Sequence, residues 1–450
     1  MSRITFKSIA RSAGYICATG LFYSQCALAA LPIEHWTQPS GAQVYLVQSP
    51  SVALVDVEVD FDAGSRRDPA AKAGLAAAAA AMTGKGVLAH GDEPALDENA
   101  IDDAWADLGA NFGGGATADR MMFSLRSLSD PAILMPAVRL AARQMGEPAY
   151  PADVWDQERQ RSIASLREAD TRPGTLAGKT YMKAVYSGHP YGQFPTESSL
   201  RAISVADMHA VHDRLLRACG AKVSIVGDID RAHADQLAST LLSRLPAGPC
   251  TALPPVAEVP PLAHAEDIRL PFPHAAQAHI YIGQPGVPRS DPAYFVLLVG
   301  NHILGGGGFT SRLTEQVREK RGLSYSIYSG FNPGLEAGAF TIGLETRPDQ
   351  AKQAVDVARQ VLEGFVADGP TAAELAAAQA NLIGGFPLRI DSDAKLIGNV
   401  ANIAWNDLPL DYLDTWTSHV RAVTLQDIRT AFTRVLHPDR MVTVVVGAPS

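Results

Sequence analysis

The chain lacks several features that would assign it directly to a functional class. It has four cysteines in 450 residues and no C-x-x-C pair, so a dithiol redox motif is not indicated. It contains no G-x-S-x-G nucleophile elbow, and no G-K-[ST] follows its run of four glycines. Acidic residues outnumber basic ones by 47 to 38, so the protein has no electrostatic basis for binding nucleic acid. What remains is the composition of a globular protein long enough for two domains.

The N-terminus has the pattern of a secretory signal. Three basic residues are followed by an apolar stretch over residues 13–23 and by Ala27-Leu-Ala29, which fits an A-x-A cleavage site. We predict that residues 1–29 are removed on export to a bacterial periplasm, which changes the formal charge from −9 to −12. The alternative is a retained anchor, although the stretch is short for a membrane span. A lipoprotein at Cys26 is disfavoured because Tyr23-Ser24-Gln25 makes a poor lipobox.

The remainder reads as two similar halves. Val-rich or alternating segments predict strands near both ends of each half, over 42–48, 52–61, 221–228, 278–283 and 440–447. Helical periodicity fills the middle of each half, with Thr371 predicted to cap a helix before Glu374. We therefore predict an α+β fold with layered α/β domains at 30–246 and 266–450, each a mainly antiparallel sheet packed with helices. The proline-dense segment 247–265 is the predicted linker.

Two cysteines would remain after signal cleavage. Cys219 precedes a predicted strand and Cys250 follows the next predicted helix, so the two could meet at one end of that unit. An oxidising compartment favours a disulfide between them. Whether they pair is left open by the sequence.

An alanine run in the first half is informative for the side chains that it lacks. The segment Gly74-Leu-Ala-Ala-Ala-Ala-Ala-Ala-Met82 and its flanks resemble the active-site helix of the M16 (pitrilysin/insulinase) zinc peptidases. In that family the segment carries an inverted zinc motif, H-x-x-E-H. The resemblance aligns its histidines with Ala77 and Ala81 and its glutamate with Ala80. A methyl group can neither bind zinc nor accept a proton from water.

The family's third zinc ligand comes from a later helix with paired glutamates. The corresponding segment begins at Glu158 and places Ala164 and Ser165 at the glutamate positions. An alanine run is also simply a strong helix former that packs closely in a core. That interpretation is compatible with the resemblance, which therefore implies an M16-type domain with a degenerate zinc motif, followed by a second M16-type domain. No metal is expected in this chain.

The second half keeps segments that resemble other parts of M16 peptidases. Its glycine run, Gly305, Gly306, Gly307 and Gly308, precedes Ser311-Arg-Leu313. Glycines allow a tight turn here, and Ser311 or Thr310 could cap the helix that follows.

Further along, Val317-Arg-Glu-Lys-Arg-Gly-Leu-Ser-Tyr325 resembles the family segment that carries an arginine–tyrosine pair. The resemblance assigns that pair to Arg318 and Tyr325, which would hydrogen-bond a substrate carbonyl and stabilise an oxyanion. Without the family resemblance, Arg318 would be interpreted as a surface residue that forms an ion pair with Glu315 or Glu319, and Tyr325 as a residue that packs at a strand edge. Arg312 and Tyr328 are expected to have structural or peripheral roles.

The histidines do not suggest another metal site. His209 and His212 have ligand-compatible spacing on a predicted helix, but no third ligand accompanies them, and packed or solvent-facing histidines are more common. His189-Pro-Tyr-Gly192 is read as a turn.

These patterns lead to one main functional hypothesis and one alternative from the same family, while hydrolysis at an unrelated site of this chain also stays open because a fold does not determine a function. The resemblance implies the non-catalytic subunit of a heterodimeric zinc metallopeptidase, inactive alone, whose partner is an M16 homologue with an intact H-x-x-E-H motif and the zinc ion. Arg318 and Tyr325 would bind peptide substrate at the partner's zinc. The alternative is a catalytically inactive peptide-binding or scaffold protein of the same family.

Overall fold

The computed structural model describes residues 32–246, 248 and 250–448, so the predicted signal peptide lies outside the described residues. The first half contains β1 (Glu34–Thr37), β2 (Gln43–Gln48), β3 (Leu54–Phe61), α1 (Leu75–Met82), β4 (Gly86–Val87), β5 (Leu96–Asp97), α2 (Glu98–Leu108), β6 (Asn111–Ala116), β7 (Met121–Leu128), α3 (Pro131–Gly146), α4 (Ala152–Ala169), α5 (Pro173–Tyr186), α6 (Glu197–Ala202), α7 (Val205–Leu215), β8 (Lys222–Gly227) and α8 (Arg231–Leu241). The second half contains β9 (Glu266–Leu270), β10 (Ala278–Pro285), α9 (Tyr294–Asn301), β11 (Ile327–Phe331), β12 (Ala339–Thr346), α10 (Ala351–Asp368), α11 (Ala372–Gly385), α12 (Asp393–Trp405), α13 (Tyr412–Ala422), α14 (Leu425–Val435) and β13 (Val442–Val446).

Each half builds its own sheet. In the described part of the chain the first sheet has the order β1–β2–β8–β3–β7–β6, and the second has the order β11–β12–β10–β13–β9. Neighbouring strands are antiparallel except for β2 with β8 and β13 with β9. The predicted α+β class with mainly antiparallel sheets is confirmed.

Local sequence explains the predicted elements that the structure contains. β7 alternates buried and exposed or half-buried residues, as expected for a strand with one covered face. Thr371 caps α11, its hydroxyl accepting a hydrogen bond from the Glu374 backbone N–H in a capping box. The predicted cap is therefore confirmed.

The two halves exchange one helix each. α5, from the first half, packs on β10 and β13 of the second sheet, while α12, from the second half, packs on β8, β3 and β2 of the first. Tyr181 on α5 donates a hydrogen bond to the backbone oxygen of Phe340 at 2.8 Å, and Lys222 on β8 donates to that of Ala404 at 2.7 Å. On the side of the first sheet that α12 covers, a groove lies between α12 and the strands β3, β7 and β6.

The segment between the halves is held at several points, although residues 250–265 form no helix or strand. Cys250 at its start is joined to Cys219 by a disulfide with a Cα–Cα distance of 5.9 Å. Further along, Glu258 accepts a hydrogen bond from the Ala337 backbone N–H at 2.6 Å, and the carbonyl of Ala257 lies 2.9 Å from His189 Nε2. In the part of the chain that the structure describes, no helix combines the length and apolarity needed to cross a membrane.

Candidate functional site

A buried aspartate fixes the start of the alanine-rich helix α1. The two carboxylate oxygens of Asp68 accept hydrogen bonds from the backbone N–H groups of Gly74 and Ala76, at 2.9 and 3.0 Å. Burial raises the pKa of Asp68 to about 6, although these backbone bonds oppose the rise. Gly74 has a φ of 102°, a left-handed conformation that favours glycine. Asp68 and Gly74 therefore set the direction in which α1 presents its side chains.

The degenerate motif positions converge on one open cleft of about 790 Å³ between α1 and α4. Ala77 and Ala81 are exposed one turn apart on α1, and Ser165 of α4 lines the same cleft. Ala80 is fully buried, its backbone oxygen accepting a hydrogen bond from Thr83. Ala164 is exposed but is not among the residues that line the cleft. The geometry thus brings together the three positions that the alignment assigns to zinc ligands.

The side chains at this cleft do not fit a zinc ion. Two methyl groups and a serine hydroxyl replace the imidazole and carboxylate donors that zinc prefers. The charge that lines the cleft comes instead from Lys85, Glu158 and Arg161, with Lys85 Nζ 3.4 Å and Arg161 Nη1 2.9 Å from Glu158 Oε1. A hydrogen bond to Glu98 raises the pKa of Lys85, which keeps this lysine cationic. Among the described residues, no group of three or more His, Cys, Asp or Glu side chains could hold a metal ion.

We expect the purified chain to bind no stoichiometric zinc. The reason is that exposed carboxylates without a closed ligand set bind the ion weakly and exchange it. Equilibrium dialysis against zinc, followed by metal analysis, would measure the amount of zinc bound per chain. An M16 peptidase with an intact motif serves as the positive control. One tightly held zinc per chain would contradict the alignment of Ala77, Ala81 and Ser165 with the ligand positions.

The glycine-rich segment of the second half is shaped by close backbone contacts. It begins in a π-helical turn over His302–Gly306. A Cβ at Gly305 would lie 2.4 Å from Ser329 Oγ, and one at Gly307 would lie 2.6 Å from the His302 backbone oxygen. Gly306 is similarly confined, by Asn301, whereas Gly308 has open space but a φ of 59°. The run therefore allows the chain to pass against β11 and turn outward.

Ser311 follows the glycine segment, immediately before the helical stretch that includes Thr314–Glu319. Its carbonyl accepts a hydrogen bond from the Glu315 N–H at 3.0 Å. Its hydroxyl donates to the Gly308 carbonyl and bonds the Thr314 hydroxyl. Ser311 therefore occupies the start of this helical stretch, but its side chain secures the preceding turn.

Arg318 and Tyr325 lie together at the surface, with a third residue that sequence patterns do not single out. The Arg318 guanidinium lies 4.8 Å from the centroid of the Tyr325 ring and 4.6 Å from that of Phe309. Tyr325 is 81% exposed and Phe309 is 69% exposed. Arg318 Nε is also 3.3 Å from Glu319 Oε1, one of the two surface ion pairs that its sequence suggests. We call Phe309, Arg318 and Tyr325 the aromatic–arginine trio.

Arg312 has a structural role, by contrast. Its guanidinium forms a bidentate pair with Glu374 at 2.6 and 2.7 Å and donates to the backbone oxygen of Gly369. This contact holds the pKa of Glu374 at about 2. Tyr328 projects from β11 over Gly343 and is 49% exposed. The side chains of the two arginines are similarly exposed, 22% for Arg312 and 28% for Arg318, but only Arg312 is held by a bidentate carboxylate contact among the described residues.

The histidines that could have suggested a metal site have packing roles. His212 is buried, with Nε2 3.0 Å from the Met145 carbonyl, and His209 packs edge-on against Tyr150. His189 Nδ1 accepts a hydrogen bond from the Tyr191 N–H, which closes the predicted turn.

Comparison with known proteins identifies the family. Residues 202–382 match the family profile described as Peptidase M16 inactive domain. The chain is similar to the crystal structure of the peptidase M16 inactive domain from Pseudomonas fluorescens, with 33% identity, a TM-score of 0.87 and coverage of 93% of this chain and 98% of that one.

Two curated relatives extend the comparison. An uncharacterised zinc protease of Mycobacterium leprae is 27% identical over 389 residues, which are 86% of this chain and 81% of that protein. The non-peptidase homologue YmxG of Helicobacter pylori is 22% identical over 291 residues, which are 62% and 65% of the two chains. The resemblance noted from sequence is therefore confirmed, and the chain belongs to the M16 peptidase family, as a catalytically inactive member.

Proposed function

We propose that this protein is the subunit without zinc of a two-chain zinc peptidase of the periplasm. The observation that carries the proposal is a contrast between its two halves. The first half has an open cleft whose motif positions carry alanine and serine. The second half places the half-buried Arg318 against the ring of the exposed Tyr325. A subunit that provides substrate contacts to a partner's active site needs the second feature and not the first.

The trio is arranged to leave the arginine usable. The negative faces of aromatic rings attract the guanidinium, and such contacts do not use its in-plane N–H groups. Nε of Arg318 faces Glu319, so the groups that remain to bind a ligand are the terminal N–H groups. Those N–H groups can donate to a peptide carbonyl, and the Tyr325 hydroxyl lies on a side chain that is mostly exposed. Two large rings at the surface, in contact with the same cation, are also typical of a binding surface.

The partner would be an M16 homologue with an intact H-x-x-E-H motif. In that arrangement the zinc belongs to the partner and supplies the Lewis acid and activated water of peptide hydrolysis. Arg318 and Tyr325 would bind the substrate carbonyl and favour the developing oxyanion by preorganised hydrogen bonds. The predicted signal peptide fits an exported protein, and the net negative charge disfavours nucleic acid as a ligand.

A peptide-binding protein without catalysis is the second candidate, and one observation favours it. β6 ends the first sheet among the described residues, and it runs beside α1. Its Gly113 and Gly115 have open space where a Cβ would be, so an extended peptide could approach this edge closely. Binding of this kind requires neither zinc nor the trio.

Isolation from the native host separates the two candidates. The tagged chain would be recovered from an osmotic-shock extract and assayed for peptide cleavage with and without a chelator. Chelator-sensitive cleavage that follows a co-eluting second chain is the expected result. A chain that elutes alone and cleaves nothing would contradict the two-chain peptidase and leave the peptide-binding protein.

A further inference from the structure

A polar groove lies between α12 and the strands β3, β7 and β6 of the first sheet, well separated in sequence from the trio. Its volume is about 440 Å³, and Ala394 and Ile397 of α12 form one wall. The strand register places its floor residues in two rows: Asp56, Arg126 and Asn111 in one, and Glu58, Ser124 and Gly113 in the next. A Cβ at Gly113 would meet nothing within 4 Å, so the floor is open at this end.

Asp56 is the most constrained group in the groove. Its side chain is only 8% exposed, and its Oδ2 has no hydrogen-bond partner among the described residues. The adjacent cation is Arg126, whose Nη1 lies 3.4 Å from Asp56 Oδ1, while its side chain is 43% exposed. A buried carboxylate oxygen without a donor is costly, so this acceptor is suited to an external donor.

Other charges around the groove do not supply that donor. Arg120 is shared by two carboxylates, with Nη1 2.8 Å from Asp60 and 3.4 Å from Glu58. Asp393, at the start of α12, lies near enough to Asp56 to add to the rise in its pKa that burial causes. Lys222 donates a hydrogen bond to Asp407, so its charge is already paired. Carboxylates therefore outnumber the nearby cations.

We propose that this groove binds a primary ammonium group. An ammonium is compact and carries three N–H donors, which matches acceptors that come from different strands: Asp56, Glu58 and the side-chain oxygens of Asn111 or Ser124. The excess of carboxylates disfavours an anion. Among the described residues, no group of three His, Cys, Asp or Glu side chains could hold a metal ion, so the groove lacks the set of charged ligands that would favour a metal over an ammonium. The ammonium belongs either to the N-terminus of a peptide or to a small amine.

Calorimetric titration of the full mature chain at pH 7 tests the assignment. The probes are a hexapeptide of alanine and leucine with a free amino terminus, its N-acetylated twin, and 1,4-diaminobutane. We expect the free peptide to bind at least ten-fold more tightly than the acetylated one. Binding of the diamine as well would point to small amines as a source, and its failure to bind would point to peptide N-termini. Equal binding of the two peptides, or no binding of any probe, would overturn the proposal.

Matched variants exclude a general charge effect. Asp56→Asn should weaken binding of the free peptide at least ten-fold, whereas Asp153→Asn, at an exposed position on α4, should not change it. Arg126→Gln should strengthen binding because it removes the competing cation, and Arg139→Gln on α3 controls for net charge. Glu58→Gln replaces Asp56→Asn if that variant does not fold. Unchanged affinity in the folded Asp56 or Glu58 variant would also overturn the proposal.

Discussion

Replacing Arg318 with alanine is expected to lower the turnover of the assembled two-chain peptidase by about 100- to 1,000-fold while leaving assembly intact. The reason is that a preorganised donor to a developing oxyanion is worth more in the transition state than in the bound substrate. The change should therefore appear in kcat and in kcat/KM together, with little change in KM. Steady-state kinetics on the purified complex, with gel filtration to verify assembly, measures both.

Arg321→Ala is the matched control for this substitution. Arg321 lies three residues further along and donates hydrogen bonds to Gln316, outside the trio. Its loss removes the same charge from the same surface, so it should leave turnover within about two-fold of the parent, the range of an exposed side chain that makes only weak contacts. If Arg318→Ala cleaves as fast as the parent complex, the role proposed for Arg318 is wrong. If both variants are equally slow, the effect is one of surface charge and not of a specific donor.

The contact between Phe309 and Arg318 could not be predicted from sequence patterns. Its place beside the glycine run is visible in the sequence, but its contact with Arg318 depends on how Gly305 and Gly308 turn the chain. Hydrophobic periodicity indicates which residues are buried in a regular element, and Phe309 lies in a single short turn where no period exists.

The zinc-motif positions were easier to predict for a physical reason. Ala77 and Ala81 are one helical turn apart, so the sequence alone requires them to share a face once α1 forms. Their approach to Ser165 depends on tertiary packing, which the family resemblance supplied. The strands over Gln43–Gln48, Leu54–Phe61 and Lys222–Gly227 also follow from local alternation and apolar runs.

The exchange of helices between the halves could not be read from the sequence. α5 and α12 each have an apolar face, and such a face indicates burial without indicating the sheet that covers it. Only the structure shows that α12 covers the first sheet, where it packs on β3, the strand that carries charged residues.

The second large effect that we expect is a pH-dependent change in stability caused by Asp60, on the strand β3 against which α12 packs. This residue is fully buried on β3, its Oδ2 accepting a hydrogen bond from Arg120 at 2.8 Å while its Oδ1 has no partner among the described residues. Burial raises the pKa of Asp60 to about 7, Arg120 opposes the rise and Glu58 adds to it. The folded protein therefore keeps a proton that the unfolded chain loses near pH 4.

The contribution of Asp60 to the free energy of unfolding should fall as the pH rises from about 4 to about 7. Between about pH 4 and pH 7 the folded state binds more protons at Asp60 than the unfolded state, so raising the pH favours unfolding. Because the pKa rises from 3.8 to about 7, linkage limits this loss to about 4 kcal/mol. The contribution is fully present at low pH and is lost once the pH exceeds the folded-state pKa.

Asp60→Asn removes this titration while keeping the shape of the side chain. The variant should match the parent near pH 4.5 and exceed its free energy of unfolding by about 2 kcal/mol at pH 8, because an amide carries no charge into the buried site. Denaturant unfolding across that pH range, with the disulfide intact, measures the difference. The other titrating groups are common to both proteins and cancel, and Asp153→Asn should show no such pH-dependent gain.

The opposite result has an equally definite meaning. A variant that is less stable than the parent at pH 8 would show that the ion pair with Arg120 outweighs the cost of burying the carboxylate. Arg120 also lies 5.7 Å from the Trp405 ring of α12, so a pair of that strength would help to fix the exchanged helix on the first sheet. A gain in stability would instead mean that the parent keeps a destabilising carboxylate on β3, whose cost to the folded state grows as the pH approaches 7 and is absent in acid.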